Sequence, residues 1–313
     1  MGNRFNRDEG GVVASGLGFF QRAKRVLVLL EQLLESQLPA DPGSADFERN
    51  IAFRWEPRGS GGHMLPISNP QLFNLDDLLG VGQAVEALDR NTRQFLAGWP
   101  FNNVLLYGER GTGKSSAARG LLARYGDQRL RVIEVERHQL SELPRIMEWL
   151  QNQKSYYFVI FCDDLSFGPG ESGHRELKAA LEGSLKPAES NVLILATSNR
   201  RHLLPQTMAE NREARLDEDG ELHLGESLEE KLALADRFGL VLGFFGFDQS
   251  LYLEIVSQYL SQAGIPELNE LTREAALRWS LARGNRSGRT ARQFVDDYVG
   301  QRRLQVKNES NEQ

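Results

Sequence analysis

Residues 105–122 read LLYGERGTGKSSAARGLL. An apolar run ends at Tyr107, three glycines follow within six residues, and then come a lysine and two serines. Beyond them the apolar spacing turns from continuous to helical. Gly108-Glu109-Arg110-Gly111-Thr112-Gly113-Lys114-Ser115 fits the phosphate-loop pattern GxxxxGK[ST]. Glycine is needed there because backbone N–H groups must turn inward around a β-phosphate with no Cβ in the way. A helix beginning near Lys114 adds its N-terminal dipole and free N–H groups. Lys114 would reach the β- and γ-phosphates and the Ser115 hydroxyl would hold Mg²⁺. Glu109, Arg110, Thr112 and Ser116 complete the candidate phosphate-binding set.

A second stretch, YYFVIFCDDL (156–165), is an apolar strand that ends in Asp163 and Asp164. Ligands of open α/β sheets bind at the carboxyl ends of strands. Asp163 is the candidate to hold Mg²⁺ through water, and Asp164 to polarise an attacking water. A third, VLILATSNRRHLLP (192–205), ends a buried strand in Thr197-Ser198-Asn199. A small polar side chain there could orient the attacking water, and Asn199 is preferred over Thr197 and Ser198.

The rest of the chain sets the frame. It has 313 residues, 40% hydrophobic and 26% charged, which is ordinary for a globular chain and enough for two domains. The formal net charge of −6 supplies no global field for gathering nucleic acid, so such binding would need a local basic patch. A single cysteine, Cys162, rules out a disulfide or zinc–thiolate framework within the chain. The start MGNRFNRDEGG lacks a signal-peptide core, and Asn6 breaks the myristoylation pattern. No run approaches the ~20 apolar residues of a membrane span. A cytoplasmic protein is expected.

Leucines and valines at helical spacing predict a helix over 17–38, and PRGSGGHMLP (57–66) reads as a Gly/Pro linker. The expected domains are 1–68, an N-terminal helical region with that linker; 69–248, an α/β domain; 249–303, a helical lid; and 304–313, a disordered tail. Within the α/β domain, strands over 104–107, 130–135, 157–162, 192–197 and 240–245 alternate with helices. That predicts a five-stranded parallel sheet covered on both faces. The acidic segment 210–231 contains RLDEDGELHL, a hairpin with Asp219-Gly220 in its turn. His63, His138, His174, His202 and His223 are scattered, with no metal pair at helical spacing.

These parts in this order resemble the AAA+ ATPases, over about Leu75 to Val299. The resemblance implies a P-loop NTPase fold, ATP and Mg²⁺ as ligands, and a homo-oligomer with ATP at subunit interfaces. LDDLLG (75–80) is similar to the segment that lies against adenine, which implicates Leu79, Gly80 and Val81. Walker A matches Gly108–Ser115, Walker B matches Phe158–Asp164, and Asn199 takes the first-sensor position. LADRFGLVL (234–242) carries a "DRF" that looks like the arginine-finger motif, with Arg237 acting on a neighbouring subunit. In GNRSGRTARQF (284–294) Arg289 is the best match to the second sensor, Arg292 the runner-up, and Arg286 lies nearby. EKLALADRFGLVLGF with RSGRTARQF looks, more narrowly, like a bacterial AAA+ group known only as a domain of unknown function and described as predicted ATPases.

Two departures bear on function. Walker B ends Asp163-Asp164 where the commoner pattern is Asp-Glu, as it also does in replication initiators of the superfamily. EVERHQLSELPRIMEW (134–149) lacks the aromatic–aliphatic–glycine loop with which threading unfoldases grip polypeptide. The leading expectation is an ATP-hydrolysing switch or remodeller of a protein or nucleic-acid partner, without a membrane role. The alternative is a nucleic-acid-bound loader or initiator in which ATP mainly controls assembly. A small-molecule kinase sits poorly with the finger and sensor arginines, and there is no Asn-Lys-x-Asp guanine signature for a GTPase.

Overall fold

The computed structural model describes residues 24–26, 29, 44–58, 61–167, 173–182, 191–199, 215–216, 222–223, 234–265 and 268–311. The chain divides into two compact units. One contains Trp55–Leu65; the other is made of Ser44–Arg54 and Pro66–Gln313 and holds everything discussed below as a site.

A central sheet of seven strands runs in the order β2-β1-β4-β5-β6-β3-β9. Its strands are β1 (Ala52–Arg58), β2 (Gly61–Pro66), β3 (Val104–Gly108), β4 (Leu130–Glu134), β5 (Tyr157–Cys162), β6 (Val192–Ser198) and β9 (Leu240–Phe244). Every pairing from β1 through β4, β5, β6 and β3 to β9 is parallel. Strands covered on both faces must be apolar throughout. β6 is buried along its whole length: it is apolar from Val192 to Ala196 and ends in two buried hydroxyl residues, Thr197 and Ser198. The helices α1 (Ser44–Arg49), α2 (Gly82–Leu96), α3 (Lys114–Tyr125), α4 (Leu143–Gln151) and α5 (Gly173–Glu182) accompany the sheet. Leu88 and Phe95 of α2 and Leu121 and Leu122 of α3 share one core with Val104, Leu106, Val159 and Leu195 of the strands.

Three further helices, α6 (Gln249–Gln262), α7 (Glu270–Ala282) and α8 (Gly288–Asn311), form a lid around Tyr252, Val256, Leu260, Ala276, Phe294 and Val295. Side chains cap two of them. Asp248 accepts from Leu251 N at 2.8 Å, and Asn269 accepts from Thr272 N at 2.9 Å. Each such cap satisfies an orphan donor of the first turn.

The five expected strands are present, and two more precede them. Of the expected linker, residues 57–58 are the end of β1 and residues 61–66 are all of β2. Gly62 is small because a Cβ there would collide with the Trp55 ring, so its composition reflects packing. The expected disordered tail at 304–313 is likewise replaced by helix as far as Asn311. Gln, Arg, Leu and Lys are good helix formers, and a polar composition suits an exposed helix end as well as a coil. The helix expected over 17–38 lies outside the described residues except at 24–26 and 29, which are helical. In the acidic segment, β7 (Arg215–Leu216) and β8 (Leu222–His223) pair antiparallel with Leu216 opposite Leu222. The turn at Asp219-Gly220 lies outside the described residues. No helix among the described residues is long and apolar enough to cross a membrane.

Candidate functional site

Parallel register decides which residues meet. Tyr107 of β3 lies opposite Ser198 of β6, and Cys162 of β5 opposite Ala196 of β6. The residues that follow, Gly108, Asp163 and Asn199, therefore emerge side by side at the carboxyl edge. β3 also has β9 on its other side: from β3 the chain crosses to β4 in one direction and then returns through β5 and β6 to β9 in the other, so the strand order reverses beside β3.

The loop between β3 and α3 has the required backbone. Gly108, Gly111 and Gly113 have φ of 133°, 78° and 106°. Side chains rarely adopt such angles. Lys114 folds back into this loop and is only 7% exposed. Its ammonium donates to the carbonyls of Gly108 (2.7 Å) and Glu109 (2.6 Å) and to Asn199 Oδ1 (3.3 Å). Burial pulls its pKa below the ordinary 10.5; Asp163 and Asp164 oppose the shift, and Arg289 and Arg110 add to it. A buried cation crowded by two arginines is a place where an anion is stabilised.

The carboxylates are fixed by hydroxyls. Ser115 Oγ donates to Asp163 Oδ1 at 2.8 Å, and Thr197 Oγ1 donates to the same oxygen at 2.6 Å. Asp164 has φ of 52°, and its N–H donates to Thr197 Oγ1 at 2.9 Å. Asn199 Nδ2 donates to Asp164 Oδ1, so Asn199 bridges Lys114 and Asp164. Among the described residues no cluster of three or more His, Cys, Asp or Glu could hold a metal. A hydroxyl and one carboxylate in contact suit Mg²⁺, a hard ion that takes few protein oxygens and fills its octahedron with waters and phosphates.

The lid reaches the loop directly. Gly288 N, the first residue of α8, donates to Gly111 O at 2.9 Å. A Cβ on Gly111 would meet Ser287 Oγ at 2.8 Å and Arg289 Cβ at 3.1 Å. Loop and lid enclose a cleft of about 1110 Å³. Arg110–Ser116, Asp163, Asp164, Thr197, Asn199 and Arg289 line it. Leu78, Leu79, Phe247, Ile255 and Tyr259, with Asp77 and Gln262, line it too, and Leu78 sits close enough to the glycine loop that a Cβ on Gly113 would meet it. Arg292 is on the wall but pairs with Asp296 at 3.1 Å and lies over the Tyr259 ring. Arg289 makes no ion pair among the described residues.

The expected adenine segment divides. Leu79 lines the cleft, whereas Gly80, at φ 75°, packs against Leu251, and Val81 is buried in the sheet core. Arg286 is off the cleft wall, with its Nε buried and unpartnered. Arg237 is exposed, just after the helical turn at 234–236, and is outside the cleft. Asp77, Tyr259, Gln262 and the bridging role of Thr197 were not anticipated. Ile255, Tyr259 and Gln262 follow a four–three spacing that marks one face of α6, a signal present in the sequence.

Sheet order, glycine loop, paired aspartates and helical lid together define the AAA+ form of the P-loop α/β fold. Within it, the chain belongs to the family described as "Protein of unknown function (DUF815)", which matches residues 48–302. No curated protein matches the chain. Among solved structures it is similar to the Thermotoga maritima RuvB Holliday junction branch migration motor (18% identity, TM-score 0.47, 71% of this chain and 63% of that one). It is also similar to the replication initiator DnaA bound to AMPPCP and single-stranded DNA (19%, 0.48, 76% and 69%). A third likeness is to the FIGL-1 AAA domain in complex with ADP (18%, 0.44, 74% of each). The chain thus spans less than two thirds of the RuvB chain.

Proposed function

We propose that this protein binds ATP with Mg²⁺ in the cleft, hydrolyses it, and uses the cycle to switch or remodel a partner macromolecule. One observation carries this: Lys114, Asn199 and Asp164 form a continuous hydrogen-bonded chain at the mouth of the glycine loop. A γ-phosphate arriving there would displace Lys114 from loop carbonyls onto itself and meet a carboxylate held for water. Lys114 then neutralises the β- and γ-phosphates, and Ser115 and Asp163 hold the metal. Bound Mg²⁺ supplies charge neutralisation on the phosphate oxygens. Asp164 accepts a proton from the attacking water, Asn199 orients that water, and Arg289 approaches the phosphates from the lid. Leu79, Tyr259 and Ile255 give the base an apolar wall. Arg237, exposed and outside the cleft, suits service to a neighbouring copy in a homo-oligomer. The buried single thiol, Cys162, fits a cytoplasmic setting. Binding of a fluorescent ATP analogue together with phosphate release tests this. Both are expected in wild type, and loss of both in Lys114→Ala.

A loader or initiator, with ATP mainly controlling assembly, has one observation in its favour. The segment after β4 is a closed capping-box turn, in which Gln139 accepts from Glu136 N at 3.0 Å, and it leads into α4 with no gripping loop. Salt-dependent binding to single-stranded DNA would favour this second function.

A further inference from the structure

We infer, on the basis of the ATPase reading above, that Thr197 is the positioning residue that makes an Asp163-Asp164 ending serviceable. Thr197 is 1% exposed, and its hydroxyl has two jobs at once. It gives its only proton to Asp163 Oδ1 at 2.6 Å and accepts the Asp164 N–H at 2.9 Å. The backbone closes the same turn, because Leu165 N donates to Thr197 O at 2.7 Å. Between these bonds Asp164 is held at φ 52°, a left-handed conformation that Asp tolerates better than most residues. Strained backbone of this kind persists only where its surroundings over-determine it.

The geometry has a chemical consequence. A left-handed residue directs its Cα–Cβ bond differently from an extended one. The short Asp164 carboxylate thereby reaches Asn199 Nδ2, while Asp163 stays on Ser115. One buried hydroxyl thus sets the metal-side carboxylate and the water-side carboxylate in register. Thr197 touches neither nucleotide nor water in this scheme; it acts through the two aspartates. A valine in its place would keep the shape and remove both hydrogen bonds, and a serine would keep both.

The test uses the full chain carrying Thr197→Val or Thr197→Ser. Crystal structures without nucleotide read the turn itself. In Thr197→Ser, Asp164 is expected to keep a positive φ; in Thr197→Val, Asp164 is expected to leave it, or Asp163 to turn away from Ser115. A second readout is the Mg²⁺ concentration giving half-maximal binding of a fluorescent ATP analogue. It is expected to rise ~10-fold or more in Thr197→Val, the usual cost of losing a group that orients a metal-side carboxylate, and to stay within about twofold of wild type in Thr197→Ser. Affinity for the analogue in EDTA should be equal in all three proteins. A wild-type turn in Thr197→Val, or a serine variant as impaired as the valine one, overturns the assignment. Failure of wild type to bind the analogue at all would overturn the ATPase reading and the catalytic half of this one, and the crystal comparison separates the two failures.

Discussion

The first N–H of the lid helix, on Gly288, is bonded to the carbonyl of Gly111 in the glycine loop at 2.9 Å. Lid position and loop conformation are therefore mechanically joined through the backbone. The contact is possible because Gly111 has no Cβ: one would press on Ser287 and Arg289.

Gly111→Ala is expected to be doubly unfavourable. At φ 78° the added Cβ costs about 1–2 kcal/mol of backbone strain, and it also pushes the lid from the loop. The affinity for a fluorescent ATP analogue should fall ~10-fold or more, with a lowered melting temperature of the free protein. A variant with wild-type affinity would mean that lid and loop are not coupled through this contact.

The depressed pKa of Lys114 gives a pH signature. Phosphates beside the ammonium reverse the effect of burial, so the pKa rises again when ATP binds. Between the lowered value and 10.5, nucleotide binding should take up protons. Without nucleotide the unfolded chain holds the proton more tightly than the folded one, so Lys114 contributes stability that grows as pH rises through that window. Titration calorimetry of the ATP analogue in buffers of differing ionisation enthalpy measures the uptake. Uptake that persists unchanged in Lys114→Arg, whose guanidinium does not titrate, would assign it to another group.

Arg237 is expected to act in trans. Arg237→Ala should bind ATP normally yet hydrolyse it ~10³-fold more slowly, as when an arginine finger is removed. Adding Lys114→Ala subunits, which offer Arg237 but cannot bind ATP, should restore part of the turnover. If mixing restores nothing and wild-type turnover per subunit is constant on dilution, Arg237 serves its own subunit or none.

Much of this site is legible in the sequence because backbone geometry dictates residue type. A loop around phosphate needs glycine, and a strand covered on both faces needs an unbroken apolar run. Gly108–Ser115, Asp163 and Asn199 are read on that basis and meet as the register requires. What escapes is tertiary. Asp77 receives hydrogen bonds from Gln258 and Gln262, some 180 residues away, and no local pattern announces that pairing. Gly80 and Val81 look like part of the same base-binding segment as Leu79, yet one packs on Leu251 and the other enters the core. β2 escapes because the glycine beneath Trp55 and the prolines that flank it look like a linker. The left-handed turn at Asp164 depends on a hydroxyl from a strand 33 residues away.

In the proposed cycle Asp164 prepares water for attack on a nucleotide held by Lys114. The decisive measurement is phosphate release and analogue binding side by side for wild type, Lys114→Ala and Asp164→Asn. Lys114→Ala is expected to lose binding and turnover together. Asp164→Asn is expected to bind ATP with Mg²⁺ as wild type does while releasing phosphate ~10²-fold or more slowly, as for loss of a general base. Wild-type turnover in Asp164→Asn, or unchanged affinity in Lys114→Ala, would contradict it.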